Sequence, residues 1–358
     1  MERDPRFDGQ LRAGADPALT EALLPVLHSG DSHAVTLAEA ANGDLVCAWF
    51  NGPGEGEPGT NVVVSRLPKG TEVWSEPDLV AADPDRSEQN PVLFTAPDGV
   101  IWLLHTSNEP HDQKSAHVLA RTSDDHGLTW SDPRILFPGP GFFLRNPPLI
   151  FDDGSWLLPS YLCTTAGEHS LVAISSDGGG TWSEHEMPES LGRVQPSIVQ
   201  RSDGSLSALF RSRAADRIYA SVSTDRGITW SVPERTELPN NNSAVHQLRL
   251  ADGRLLLIFN DASLERDQFR WVGDPENPRK KAVRTPLTLA LSEDDGATWP
   301  FRRNLQLADL EYRDAPMGYS YPTLLQTSDG RVHAAYSYLR KAIKHVSFDA
   351  DWVCADDR

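Results

Sequence analysis

The chain has 358 residues, with 33 Lys plus Arg against 51 Asp plus Glu, a formal net charge of -18, and 39% hydrophobic residues including 10 Trp and 12 Phe. That apolar content suffices for a packed core, but no run is long and apolar enough for a membrane-spanning helix. The negative charge argues against a nucleic-acid partner, which needs clustered Lys and Arg, and leaves room for a small anion in a local basic pocket.

Residues 1–29 read as an acidic lead-in of helix or coil, outside a single domain spanning 30–358. Residues 1–30 contain no basic start followed by an apolar stretch and a small-residue cleavage site, so no secretion signal is expected. Cys47, Cys163 and Cys354 are an odd count, two of them in apolar strand-like runs. Reduced thiols in a cytoplasmic protein are the simplest expectation.

From residue 30 onward the chain repeats itself. An apolar strand, a turn ending in Asn/Asp-Gly and a second apolar strand occur around Asn42-Gly43, Asp98-Gly99, Asp153-Gly154, Asp203-Gly204, Asp252-Gly253 and Asp329-Gly330. Gly at the turn accepts positive φ without a steric penalty, so each copy predicts a β-hairpin. Ser-x-Asp-x-Gly-x-Thr-Trp follows at Ser123–Trp130, Ser175–Trp182, Ser223–Trp230 and Ser292–Trp299, with degenerate versions at Ser65–Trp74 and Ser347–Trp352. These are expected to be closed turns: the Asp accepts turn N–H groups and the Trp packs the outer edge. Six hairpins in register with these turns predict an all-β fold, a six-bladed β-propeller. Residues 31–36 are expected near 331–350, closing the ring. The segment Asp261–Lys281, rich in charge and Pro, is expected to be a loop over one face.

These repeats, with Arg145-Asn-Pro-Pro148 and Tyr319-Ser-Tyr-Pro322, resemble the sialidase (neuraminidase) superfamily, the Asp-box or BNR-repeat propellers, over roughly residues 30–352. The resemblance implies a ligand site over the propeller axis. Three arginines there hold a sugar carboxylate, a Tyr activated by a Glu attacks, and an Asp protonates the leaving oxygen. Measured from the hairpin glycines and turn serines, the second and third arginines fall on Arg211 and Arg284, and the nucleophile on Tyr321. A guanidinium fork binds a carboxylate bidentately and keeps its charge, as such a clamp requires.

Four positions depart from that pattern. His33 stands at the first arginine, Gln195 at the activating Glu, and Ser337 at the acidic brace of the first arginine. No Asp occupies the loop of the acid; Glu55 and Glu57 are its only carboxylates. Gln195 cannot take a proton, and a phenol with an ordinary pKa near 10 is a weak nucleophile at neutral pH.

Each candidate has a plain structural alternative. Arg211 and Arg284 could brace blade edges, Tyr321 could pack in the core, and His33 could be a satisfied structural histidine. Gln195 could be a spacer, and Glu55 is either a solvated loop carboxylate or an acid on a glycine-rich flap. Arg145 is either a third axial cation or a loop ion pair. Asn90 is a candidate substrate contact; Arg340 and Tyr319 are lesser candidates. No zinc spacing, phosphate-cradling loop or Gly-x-Ser-x-Gly elbow occurs, so neither metal nor cofactor is expected.

Three functions remain open. The first is an exo-acting glycoside hydrolase on a terminal carboxylated sugar, with Glu55 as acid and Tyr321 or a water near His33 as attacker. The second is a uronic-acid lyase, and the third a non-catalytic sugar-binding propeller. The departures predict poor turnover of ordinary sialosides.

Overall fold

The computed structural model describes residues 4–309, 311 and 318–355. All six Asn/Asp-Gly turns reverse the chain between antiparallel strands, and each hairpin forms the inner half of one blade. Blade one consists of Asp31–Glu39, Leu45–Gly52, Asn61–Leu67 and Asp78–Ala81. The same up-and-down order recurs in blade two from Ser87–Thr95, in blade three from Phe142–Leu144, and in blade four from Arg193–Gln200. Blades five and six begin at His246–Arg249 and Tyr319–Gln326.

Burial explains the composition of each strand. Second strands are sandwiched between neighbouring blades, so Leu45–Gly52, Leu206–Ser212, Leu255–Asn260 and Val332–Tyr338 are buried throughout. Outer strands such as Ser183–Glu186 lie largely in solvent and are polar. The core therefore lies between blades: Leu256, Ile258 and Leu289 of blade five meet Leu324, Ala334 and Tyr336 of blade six.

The repeated Asp residues are scaffold. Asp125 accepts Thr129 N at 2.8 Å and Thr129 Oγ1 at 2.6 Å, and Asp177, Asp225 and Asp294 repeat both bonds. These bonds favour the ionised form and hold Asp125 and Asp177 down to about 2.

Residues 4–29 do not lie outside the propeller as helix or coil; residues 1–3 of that expected lead-in lie outside the described residues. Thr20–Leu23 is the fourth strand of blade six, paired antiparallel with Lys344–Ser347, and Arg12–Ala13 pairs on its far side as the edge strand. The same segment reaches blade one, where Gly9 O accepts Trp74 N at 3.0 Å and Leu11 N donates to Glu72 O at 2.7 Å. Leu24 is fully buried at the seam. The ring is thus fastened by one peptide gripping both blades that meet there, and Ser32 N donates to Arg340 O at 2.7 Å beside it. The segment Asp261–Lys281 is not simply a loop either: Phe269–Val272 pairs with Arg279–Ala282 as a separate hairpin. All three cysteines are unpaired.

Candidate active site

Four inner strands carry a β-bulge at the same point, where the register breaks between His33 and Thr36, Gln89 and Val92, Val194 and Ser197, and Ser320 and Thr323. At each break one non-glycine residue is left-handed: Ala34, Asn90, Gln195 and Tyr321, with φ between 46° and 57°. Such a backbone costs on the order of 1–3 kcal/mol per residue and persists only where its surroundings enforce it. A bulge re-aims a side chain out of the regular alternation, and here it directs Gln195 and Tyr321 to one another.

Blade three supplies the enforcement. Arg145 donates from Nη1 to Val35 O at 3.0 Å and from Nη2 to Tyr321 O and Pro322 O at 2.7 and 2.8 Å. Its neighbour Asn146 donates to Gln195 O at 3.3 Å and Pro196 O at 2.9 Å. Both Arg145 terminal nitrogens donate to backbone carbonyls, and among the described residues it makes no ion pair with a carboxylate. The Arg145-Asn146 dipeptide ties the bulges of blades one, four and six together across the axis.

Tyr321 is 5% exposed and surrounded by cations. Arg211 Nη1 donates to its hydroxyl and, at 3.0 Å, to Gln195 Oε1, while Arg211 Nε is held by Asn242 Oδ1 at 2.8 Å. Gln195 Nε2 donates to the hydroxyls of Tyr321 at 3.3 Å and Tyr161 at 3.4 Å. The guanidiniums of Arg145, Arg211 and Arg284 lie 5.4, 5.4 and 5.8 Å from the Tyr321 ring centroid. Burial alone would raise the phenol's pKa, but Arg211, Arg213 and Arg284 outweigh it and bring it below the ordinary value near 10.

His33 is fully buried, its ring 4.2 Å from that of Tyr321. Its Nδ1 lies 2.7 Å from Ser337 Oγ, so the two positions that the resemblance pairs as arginine and acid meet here as histidine and serine. Burial first, then Arg340, Arg284, Arg145 and Arg211, hold its pKa well below 6.5 and keep the imidazole neutral. Nε2 is buried without a protein partner.

Arg284 donates to Ser320 Oγ at 3.1 Å and is pushed down to about 10 by burial, with Arg211 and Arg340 adding to the effect. Arg340 lies in the turn after Tyr338, with Leu339 and Arg340 both at positive φ. Its guanidinium is gripped by Asp31 at 2.7 Å and Glu55 at 2.5 Å. Glu55 remains 32% exposed at the rim. Burial would raise its pKa, but Arg340, Arg211 and Arg284 bring it below 4.5, so it rests ionised.

The structure therefore brings together Tyr321, Arg211, Gln195 and His33, with Arg284 packed over Tyr321 and Glu55 at the edge on Arg340. Asn90 sits on the matching bulge of blade two but makes no side-chain hydrogen bond to this group. Tyr319 stays in the blade core against Tyr336 and Tyr338. Sequence reasoning missed Asn242, Tyr161 and Asn146. The Asn240-Asn241-Asn242 run beside an apolar strand was the available signal for the first; Tyr161 had none.

A family model described as a BNR repeat-like domain matches residues 43–334. The chain belongs to that family. This BNR-repeat propeller of the sialidase superfamily is 26% identical to a sialidase of Micromonospora viridifaciens, over 89% of this chain and 52% of the relative. It is 24% identical to a sialidase of Bacteroides fragilis, over 65% of this chain and 41% of the relative. It spans about half the length of these curated relatives. Among solved structures, the microbial sialidase Hz136 has a TM-score of 0.74 at 17% identity, covering 96% of this chain and 68% of that one. A leech intramolecular trans-sialidase complexed with 2,7-anhydro-Neu5Ac has a TM-score of 0.69 at 16% identity, covering 91% of this chain and 69% of that one.

Proposed function

We propose that this protein is an exo-acting glycosidase that removes a terminal carboxylated sugar by attack of Tyr321 on the anomeric carbon. The observation that carries this is the Arg211 hydrogen bond to the Tyr321 hydroxyl, made beside Gln195, which stands where the resemblance implies a carboxylate base. A Glu activates a phenol by taking its proton; a cluster of guanidiniums activates it by stabilising the phenolate once the proton has left. Gln195 completes that arrangement, since its amide donates to the hydroxyl and adds no negative charge.

Arg211 and Arg284 hold the substrate carboxylate. Arg340 joins them when that carboxylate displaces Glu55 from it. Glu55, freed from its cation and placed beside a new anion, then rises in pKa and takes up a proton to serve as general acid. The Tyr321 oxygen bonds to the anomeric carbon as the glycosidic C–O bond breaks, and the Glu55 proton passes to the leaving oxygen. Water, deprotonated by the Glu55 carboxylate, then hydrolyses the glycosyl–tyrosine and returns the phenolate. The sialidases of Micromonospora viridifaciens and Bacteroides fragilis support the glycosidase class, and the Trypanosoma rangeli sialidase with sialic acid (TM-score 0.65) supports a carboxylated sugar as ligand.

One observation favours a second reading, β-elimination from a uronic acid. Neutral His33, with Nε2 unengaged beside Tyr321, is equipped to remove a proton α to a clamped carboxylate. A panel of fluorogenic sialosides and uronosides, read also for ultraviolet absorbance, separates the two. Hydrolysis without an absorbing product is expected, slower for sialosides than for the best member of the panel. An absorbing unsaturated product would establish elimination, and binding without any turnover would leave a lectin-like propeller.

A further inference from the structure

A cavity of about 230 Å³ opens beside the clamp, sharing Arg284 with it and otherwise lined by Arg213, Arg279, Lys280 and Lys281 together with Asn241 and Asn242. Five cationic residues line this small space, one of them, Arg213, ion-paired with Glu168, in a chain whose net charge is -18. No acidic residue is among the cavity's described lining. Three of the five come from one place, the second strand of the inserted hairpin, Arg279–Ala282. Lys280 is ordered by its own hairpin, with Nζ 4.0 Å from the Phe269 ring centroid. Lys281 is pushed down to about 8, by burial first and then by Arg284, Arg270, Arg340 and Arg279. Concentrated charge of one sign in a concave wall raises the local concentration of the opposite ion.

The cavity is joined to the clamp through shared residues. Arg284 belongs to both, and Asn242 in its wall holds Arg211 at 2.8 Å. A ligand whose terminal carboxylate rests on Arg211 and Arg284 therefore has its next unit within reach of this wall.

We propose that the cavity is a subsite for a second negatively charged group, a carboxylate or sulfate ester on the sugar next to the terminal one. The inference rests on the proposed glycosidase reading for the orientation of the ligand, and it narrows the substrate class to acidic oligosaccharides with anionic groups on consecutive residues. Asn241 and Asn242 supply neutral amide groups for ring hydroxyls, while Arg279 and Lys280 supply the charge. The hairpin Phe269–Val272/Arg279–Ala282 is then a specificity element grafted onto blade five.

Calorimetric titration of the intact protein tests this with two pairs of probes. One pair is the methyl α-sialoside against an α2,8-linked disialoside; the other is a desulfated glucuronic acid–hexosamine disaccharide against its sulfated form. In at least one pair the dianionic member is expected to bind about tenfold or more tightly, with a preference that shrinks as salt rises. The pair that responds identifies the carboxylate or the sulfate. In the Arg279→Gln/Lys280→Gln variant that preference disappears while affinity for the monoanionic probe stays the same. Equal affinity within both pairs, a preference surviving in the variant, or no binding of any probe would overturn the subsite. A dianionic probe that binds through Arg279 and Lys280 while the monoanionic ones fail entirely would keep the subsite and count against the clamp.

Discussion

Arg211 donates a hydrogen bond to the Tyr321 hydroxyl across the propeller axis, joining blade four to blade six at the point where both inner strands bulge. The contact helps to lower the pKa of the Tyr321 phenol, the nucleophile proposed above. Its consequences are visible in pH dependence as well as in rate.

Arg211→Lys keeps the charge but loses the planar fork that reaches Tyr321, Gln195 and Asn242 together. In the proposed mechanism the phenolate is the reactive form and its pKa is lowered from the ordinary value near 10, so the rate is expected to rise with pH through that pKa. The substitution is expected to move the rising limb to higher pH and cost about 10–100-fold at neutral pH, the worth of a charge-assisted hydrogen bond. An unmoved pH profile would show that Arg211 only binds substrate.

Glu55→Gln separates the two duties assigned to that residue. Turnover of substrates with poor leaving groups is expected to fall by about 10²–10⁴, while activated aryl glycosides suffer less. Carboxylated ligands should bind more tightly, since Arg340 no longer holds a competing carboxylate. Weaker binding would mean that Glu55 contacts the sugar directly.

A chain beginning at residue 25 lacks the strand that closes blade six and the segment that grips blade one. Loss of buried Leu24 and Ala22 with their ladder bonds is expected to destabilise the fold by at least about 3 kcal/mol in urea unfolding. The bared edge of Ala342–Phe348 should also promote association. An unchanged unfolding midpoint would show that the ring closes without it.

How much of this was legible beforehand follows from how local each signal is. The six hairpins and the Asp turns were readable because each is specified within about ten residues by turn chemistry that tolerates few substitutes. Thr20–Leu23 was not: four residues without alternation join the blade through a partner more than 300 positions away. Tyr321, Arg211 and Arg284 could be picked out by counting from those hairpins along the pattern that the family resemblance implies. The task of Arg145 could not, because its guanidinium reads backbone carbonyls on two other blades, which no side-chain pattern announces. The recurring residue-Pro step at Asn90, Gln195 and Tyr321 was the overlooked hint that these three positions share one backbone device.

Acid should weaken the fold earlier than carboxylate protonation alone would. Burial, before any neighbouring charge, holds His246 down to about 3 and His333 down to about 4, and keeps His33 and His345 well below 6.5. His246 Nδ1 accepts Leu324 N at 2.8 Å, a bond that protonation removes. The unfolded chain takes up these protons near pH 6.5 while the folded chain does not, so stability falls as pH drops from about 6.5 to about 4. Urea midpoints at pH 7.5 and 5.0 check this; a midpoint unchanged or higher at pH 5.0 would contradict it.

The role of Tyr321 is tested most directly by trapping its product. Carboxylated glycosyl fluorides bearing a second fluorine beside the anomeric carbon slow the breakdown of a glycosyl–enzyme more than its formation, so the intermediate accumulates. Peptide mass spectrometry is expected to find one glycosyl group on Tyr321, absent in Tyr321→Phe and formed more slowly in Arg211→Lys. Turnover of the parent glycoside with no adduct on Tyr321, or with the adduct on another residue, would contradict attack by the arginine-held phenolate.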